Sequence, residues 1–169
     1  DGDPCDDINA ITKWISLELE AILTNKSFTV KAINVAAYGA SFVHLDRNSN
    51  VLTPLYNYLK PFPKTLQDKF YKTYGGETLV SLQSASPVLG SLNSGLQLYR
   101  LKHEKPALFN TITCSLHLPQ YISHVITLKE YSDITSIGSH TLLWDFNKKN
   151  YHQWVFNEGI DRLLPKRLN

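Results

Sequence analysis

Glycine and small residues that follow an apolar run let a backbone come close to a ligand, because no Cβ stands between the N–H groups and the bound molecule. The chain has such a place at Ala37-Tyr38-Gly39-Ala40-Ser41, directly after Asn34-Val35-Ala36. Other chemistry is tested by spacing. A nucleophilic hydrolase needs a serine on a sharp elbow, usually within GxSxG, and a histidine to activate it. Ser41 follows Gly39-Ala40, but no second glycine arrives two residues later, and Ser91, Ser94 and Ser139 fail the same pattern. They read as small polar turn residues, and no Ser-His-Asp order is legible. His44, His103, His117, His124, His140 and His152 are scattered, with only His117 and His124 able to share a face. They read as hydrogen-bonded core or surface residues, and no metal site is expected. A phosphate cradle would show as GxxxxGK[ST] or GxGxxG at a strand-to-helix junction. Neither occurs. Gly90-Ser91-Leu92-Asn93-Ser94-Gly95 lacks the lysine and the preceding strand, and reads as a helix-entry loop capped by Asn93 or Ser94.

These residues need a scaffold, and the composition allows one. With 169 residues, 43% hydrophobic and 19% charged, the chain can bury one proper core, so one compact α/β unit is expected. The net charge of +2 is spread without a basic block, the densest runs being Asn147-Lys148-Lys149-Asn150 and Lys166-Arg167. A solvated surface accounts for them, and no nucleic-acid partner is expected. Cys5 and Cys114 lie far apart with no CxxC spacing. A reducing cytoplasm is the simplest compartment, a single disulfide the alternative. No run approaches the about 18 apolar residues of a membrane span, so a soluble protein without a membrane partner is expected. The chain opens at Asp1 and contains no methionine, which suggests an excerpt of a larger protein.

Along the chain, Asp6-Asp7 stand before Ile8, Ile11, Ile15, Leu19 and Ile22, predicting an amphipathic helix that ends near Asn25. Phe28 to Ala37 carries Val30, Ile33 and Val35 and predicts a strand covered on both faces, with Ser41–Leu45 as a second strand. The turn-prone Asp46-Arg47-Asn48-Ser49-Asn50 predicts a hairpin to a third strand near Val51. Three prolines between Pro54 and Pro63 then open a helical section. Helices are expected at Lys64 to Tyr74, stopped by Gly75-Gly76, at Ser94 to Glu104, from Pro119 through Ile126, and at Tyr151 to Asn157, with a short strand at Thr111 to Leu116. The expected division is a core over 1–60 and a helical, cleft-forming section over 61–169 of a single domain.

The stretch NVAAYGASFVHLD (34–46) with RNSNVLTPLYNY (47–58), then SDITSIGSHTLLWDF (132–146) and the ending Gly159-Ile160-Asp161-Arg162-Leu163-Leu164-Pro165, resembles the N-terminal, sugar-binding domain of the FGGY carbohydrate kinases. GSLNSGLQLYRLKHEKP (90–106) is similar to the family helix that supports the cleft. Leu118-Pro119-Gln120-Tyr121 with Ile126-Thr127 resembles its "Pro-Asp-Tyr, then Leu-Thr-Gly" segment, with Gln120 for the acid and Leu128 for the glycine. The family's aromatic residue followed by Asp and Arg falls on Tyr56-Asn57-Tyr58-Leu59-Lys60, which keeps the aromatic character and the final basic charge but not the acid.

The resemblance implies a ribonuclease H-like, actin-like α/β domain with a mixed sheet flanked by helices. It implies sugar held against Tyr38, Gly39, Ala40, Asp133, Thr135 and Ser136, with no catalytic residue in this stretch. Asp133 reads equally as a helix cap, and Tyr38 as a core aromatic. The implied function is sugar recognition in an ATP-dependent kinase that phosphorylates a hydroxyl of a ketose or polyol. ATP and Mg2+ would be held mainly by a C-terminal nucleotide-binding domain of the same protein, with neither bound tightly here. The alternative is a non-catalytic carbohydrate-binding or scaffold module of the same fold. Neither the particular sugar nor the oligomeric state is legible.

Overall fold

In the computed structural model, which describes residues 2–168, β1 (Cys5–Asp6) leads through Asp7 into helix α1 (Ile8–Thr24). The Asp7 carboxylate accepts from the amides of Asn9 and Ala10, both at 3.0 Å, satisfying donors that the first helical turn leaves unpaired. The predicted helix is there, but of its residues only Ile8 is fully buried, and Trp14, Leu17, Ile22 and Leu23 face solvent.

The expected strand over Phe28 to Ala37 does not form. These residues take no strand conformation, and Phe28 and Ile33 are 51% and 45% exposed. A β-branched run is a preference for a pleated surface, realised only when a neighbouring strand takes its N–H and C=O groups. Among the described residues no strand pairs with this run.

β2 (Phe42–Leu45) follows, entirely buried. The predicted turn after it is present: the Asp46 carboxylate accepts from the amides of Asn48 at 2.8 Å and Asn50 at 2.9 Å. The hairpin stops after a single antiparallel bridge between Leu45 and Val51, because Pro54 lies just beyond and cannot donate to a ladder. The chain instead reaches β3 (Leu55–Tyr56), which pairs antiparallel with β1.

Helices α2 (Lys64–Thr73), α3 (Glu77–Ser84), α4 (Ser94–Glu104) and α5 (Pro106–Thr111) come next. Gly75 and Gly76, at φ 94° and 93°, turn the chain between α2 and α3. β4 (Cys114–His117) then pairs antiparallel with the whole of β2, Phe42 opposite His117 and Leu45 opposite Cys114. Helix α6 (Leu118–Thr127) starts with Pro119 in its first turn. β5 (Tyr131–Ser132), α7 (Ile134–Gly138), β6 (Trp144–Asp145), β7 (Asn150–Tyr151), α8 (Gln153–Asn157) and β8 (Lys166–Arg167) complete the order. β6 pairs antiparallel with β7, and β5 with β8 gives the one parallel ladder among the described residues. The mixed pairing is thus distributed over short two-stranded ladders.

Two apolar clusters hold these elements. The larger centres on Trp154, wholly buried, against Phe70 and Tyr99 in edge-to-face contacts. The Trp154 Nε1–H donates to the Leu142 carbonyl at 2.8 Å, so the polar edge of the indole is satisfied inside the core. The smaller cluster packs Ile8 and Tyr121 onto Val43, Leu45, Leu55 and Leu116. Both cysteines are free, Cys5 exposed and Cys114 buried. No described helix is long and apolar enough to cross a membrane.

Candidate functional site

The Ala37–Ser41 loop is pinned at its exit. The Ser41 hydroxyl donates to the Tyr56 carbonyl at 2.7 Å, and the Leu118 amide donates to the Ser41 carbonyl at 3.0 Å. Gln97, on α4, spans two loops: its Nε2 donates to the carbonyls of Ala40 at 2.7 Å and Ser91 at 2.6 Å. A Cβ built on Gly39 would meet open space. Glycine here keeps the loop surface clear rather than relieving a clash.

Facing that loop is the start of α7, organised by Asp133. Its carboxylate accepts from the Ser136 amide at 2.8 Å, the Ser136 hydroxyl at 2.9 Å and the Thr135 hydroxyl. Gln120 reaches from α6 to the Ser132 hydroxyl at 2.9 Å. Burial raises the Asp133 pKa, but the donors from Thr135, Ser136 and Gln120 outweigh it and hold the carboxyl down at about 2. Asp133 is therefore a charged cap whose oxygens are taken up by the start of α7 and by Gln120.

Between the two lies a groove of about 330 Å³ lined by Ala37, Gly39, Ala40, Pro119, Thr135 and Ser136, among others. A second, of about 510 Å³, shares Ala37, Pro119, Thr135 and Ser136 and continues along residues 33–36 toward Ser123 and Ser132. No lysine or arginine lines either. Hydroxyls and backbone without cations suit a neutral, hydroxyl-bearing ligand and do not fit a triphosphate, whose charge calls for cations or clustered amides.

Of the residues singled out in the sequence, Gly39, Ala40, Thr135 and Ser136 line the first groove, and Asp133 lines its continuation. Tyr38 lines neither. Its hydroxyl donates to Asp6 at 2.9 Å and its ring packs on Tyr58 with centroids 5.8 Å apart. Asn93 occupies the N-cap position of α4 without making the side-chain cap expected of it. Its amide instead donates to the Ser86 hydroxyl at 2.9 Å and the His140 carbonyl at 2.8 Å, tying three loops. Gln97 carries no motif and nothing in its spacing marks it, and Asn93 was legible only as one of two cap candidates.

One pair suggests other chemistry. Ser94 Oγ lies 2.9 Å from His117 Nε2, a separation that suits a nucleophile and its base. Both residues are sealed, at 0% and 2% exposure, and burial pushes the imidazole down to about 4 against the smaller effects of Gln120 and Asp133. The pair stitches α4 to β4, out of reach of any substrate. Among the described residues no cluster of histidine, cysteine, aspartate or glutamate could hold a metal ion.

No family profile matches the chain. A rhamnulokinase of Oceanobacillus iheyensis is 25% identical over 145 residues, covering 86% of this chain and 30% of the relative. An L-fuculokinase of Escherichia coli is 26% identical over 172 aligned positions, covering 92% and 35%. The chain thus spans about a third of the length of the curated relatives it matches. A carbohydrate kinase from Novosphingobium aromaticivorans superposes with a TM-score of 0.85 at 21% identity, over 99% of this chain and 35% of that one. The fold is that of a carbohydrate kinase domain. The chain is similar in sequence to sugar kinases and in fold to carbohydrate kinases of actin-like architecture, in keeping with the resemblance to the FGGY family.

Proposed function

We propose that the chain is the sugar-recognition domain of an ATP-dependent carbohydrate kinase of the cytoplasm, which phosphorylates a hydroxyl of a ketose or polyol. The observation that carries this reading is the meeting of Gly39 and Ala40 with Thr135 and Ser136 in one groove, although the two stretches are far apart in sequence. The loop offers backbone groups over a surface that no side chain blocks, and Thr135 and Ser136 offer hydroxyls. Asp133 positions those hydroxyls from behind, and Gln97 fixes the loop opposite. Tyr38 stands outside the groove lining, held by Asp6 and Tyr58.

Phosphoryl transfer asks the protein mainly for positioning of the acceptor hydroxyl in line with the γ-phosphate, together with stabilisation of charge. In this reading these residues supply the first, and a nucleotide-binding domain elsewhere in the polypeptide supplies ATP, Mg2+ and the base. The sugars named for the two relatives, rhamnulose and fuculose, are the first to try.

The test is titration of the 15N-labelled chain with L-rhamnulose, L-fuculose and D-xylulose. Amides of 37–41 and 134–140 should shift with at least one sugar, and Thr135→Val and Ser136→Ala should each weaken binding about fivefold, one hydrogen bond's worth. Lys148→Ala, on the exposed turn after β6, should leave it unchanged. Shifts confined to other surfaces would sink the assignment. Purified chain mixed with ATP, Mg2+ and these ketoses should form no sugar phosphate.

A further inference from the structure

The groove walls come from segments with no local connection to one another: the loop before β2, Leu92, Pro119 at the start of α6, and α7 with the residues after it as far as His140. Their separations are held by the entrance of α4. Asn93 is wholly buried there. Its amide donates to the His140 carbonyl at 2.8 Å, the Ser86 hydroxyl at 2.9 Å and the Pro87 carbonyl at 3.2 Å, while its side-chain oxygen accepts from the Leu89 amide at 2.7 Å. Ser94 meets His117, two positions ahead of Pro119, and the Gly95 amide donates to the Thr141 carbonyl at 2.9 Å. Gln97 then sets the two hydrogens of its amide against the carbonyls of Ala40 and Ser91.

Positions four apart share a helix face, so Asn93 and Gln97 project from one side of α4 toward different walls. Leu96 and Leu98, on either side of Gln97, are both 0% exposed. That seats the helix in a close-packed core, where it cannot slide to suit a ligand. Neither Asn93 nor Gln97 lines the groove. Gln97 holds the Ala40 wall and the turn that carries Leu92, and Asn93 holds the His140 wall. A neutral ligand is held by hydrogen bonds and contact, and hydrogen bonds weaken steeply once out of line. Wall spacing therefore decides which arrangement of hydroxyls is matched.

We infer that Gln97 and Asn93 are positioning residues that set the sugar preference of the groove by fixing the distance between its walls. The inference rests on the sugar-recognition reading given above. Gln97 acts as a donor: a carboxylate of the same shape would face two carbonyl oxygens with no hydrogen to offer, and the loop would move away.

The experiment titrates the 15N-labelled chain, Gln97→Glu and Gln97→Met with L-rhamnulose, L-fuculose and D-xylulose. Without sugar, amides of 39–41 and 91–93 should move in Gln97→Glu while those of α8 stay in place. With sugar, affinity for the best-bound ketose should fall about fivefold in Gln97→Glu and about threefold in Gln97→Met, the scale of one misplaced hydrogen bond. The ratio of half-saturation concentrations between the worst-bound and best-bound sugars should shrink about twofold in both. A merely structural role would lower all affinities together and leave that ratio unchanged. Asn93→Asp, which keeps the acceptor for Leu89 and loses the donors, should shrink the ratio from the His140 side, with amides of 139–141 moving. If it does not fold, the Gln97 variants carry the test. An unchanged ratio in both Gln97 variants, or unmoved amides at 39–41, would overturn the inference. A parent chain that shows no sugar-dependent shift would overturn the sugar reading and this inference with it, whereas equal binding by the parent and Gln97→Glu would sink this inference alone.

Discussion

Asp133 spends its carboxylate on its own helix start, on the amide and hydroxyl of Ser136 and the hydroxyl of Thr135, and this decides what a substitution there does. Asp133→Ala should cost about 1–2 kcal/mol of stability, as the loss of a helix cap does, and thermal denaturation would register it. Sugar affinity should fall with it, because Thr135 and Ser136 lose the acceptor that orients them. Gly95 makes the opposite kind of demand. A Cβ there would lie 2.6 Å from the Thr141 carbonyl oxygen and 2.9 Å from Leu143 Cδ2, the first a contact that only a shift of backbone could relieve. Gly95→Ala should therefore destabilise by about 1–3 kcal/mol, read from urea unfolding, and a change under 0.5 kcal/mol would mean that the α4 entrance is looser than these contacts require. The two sites differ in how far they could be read in advance. Asp133 lies two residues before Thr135 and three before Ser136, a local pattern in which cap and ligand readings were both legible. Gly95 meets Thr141 and Gln97 reaches Ala40, each partner 40 or more positions away, and no local spacing announces those.

At the scale of elements, burial separates helices that look alike in sequence. α1 has a regular apolar spacing over 17 residues, yet Ile8 alone is fully buried in it, whereas short α8 places Trp154 and Val155 in the core. Ile8→Ala should cost about 2–5 kcal/mol, but Leu17→Gln, at a position 56% exposed, should stay within about 0.5 kcal/mol. Equal losses at both positions would mean that the outer part of α1 is packed in solution. Helices with strong punctuation were legible nearly to the residue: Ser94–Glu104 as expected, and Lys64–Thr73 with Gly75-Gly76 beyond it. Helices α3, α5 and α7 were not, since they are short and lack a clear apolar stripe. Strands were the weak point for a physical reason. A helix satisfies its backbone within itself, but a strand exists only with a neighbour, so the apolar run at 28–37 went unpaired while β2 found its partner in β4, beyond four intervening helices.

For the molecule as a whole, the buried imidazoles set its behaviour in acid. His44 and His117 are both pushed down by burial to about 4, against about 6.5 in an unfolded chain. Between those values the unfolded chain binds more protons than the folded one, so stability is fully present above about pH 6.5 and drains away as pH falls toward 4. Urea midpoints measured from pH 7.5 to 4.5 should decline, and His44→Asn, which keeps a polar partner for Ser115 without a titrating ring, should flatten the decline. A slope unchanged by that substitution would refute the role of His44. The β2–β4 ladder also has a bearing on time. His44 and Ser115 meet across 71 positions, so no tight turn can zip these strands together. The chain between them must first be gathered, and loop closure on that scale slows folding, whereas helices α2 and α4 form from local contacts. Stopped-flow refolding should accordingly split by probe. Far-UV ellipticity should rise early, and the fluorescence of Trp144 and Trp154, which share a core cluster with Phe42 of β2, should arrive later, at the pace of the ladder.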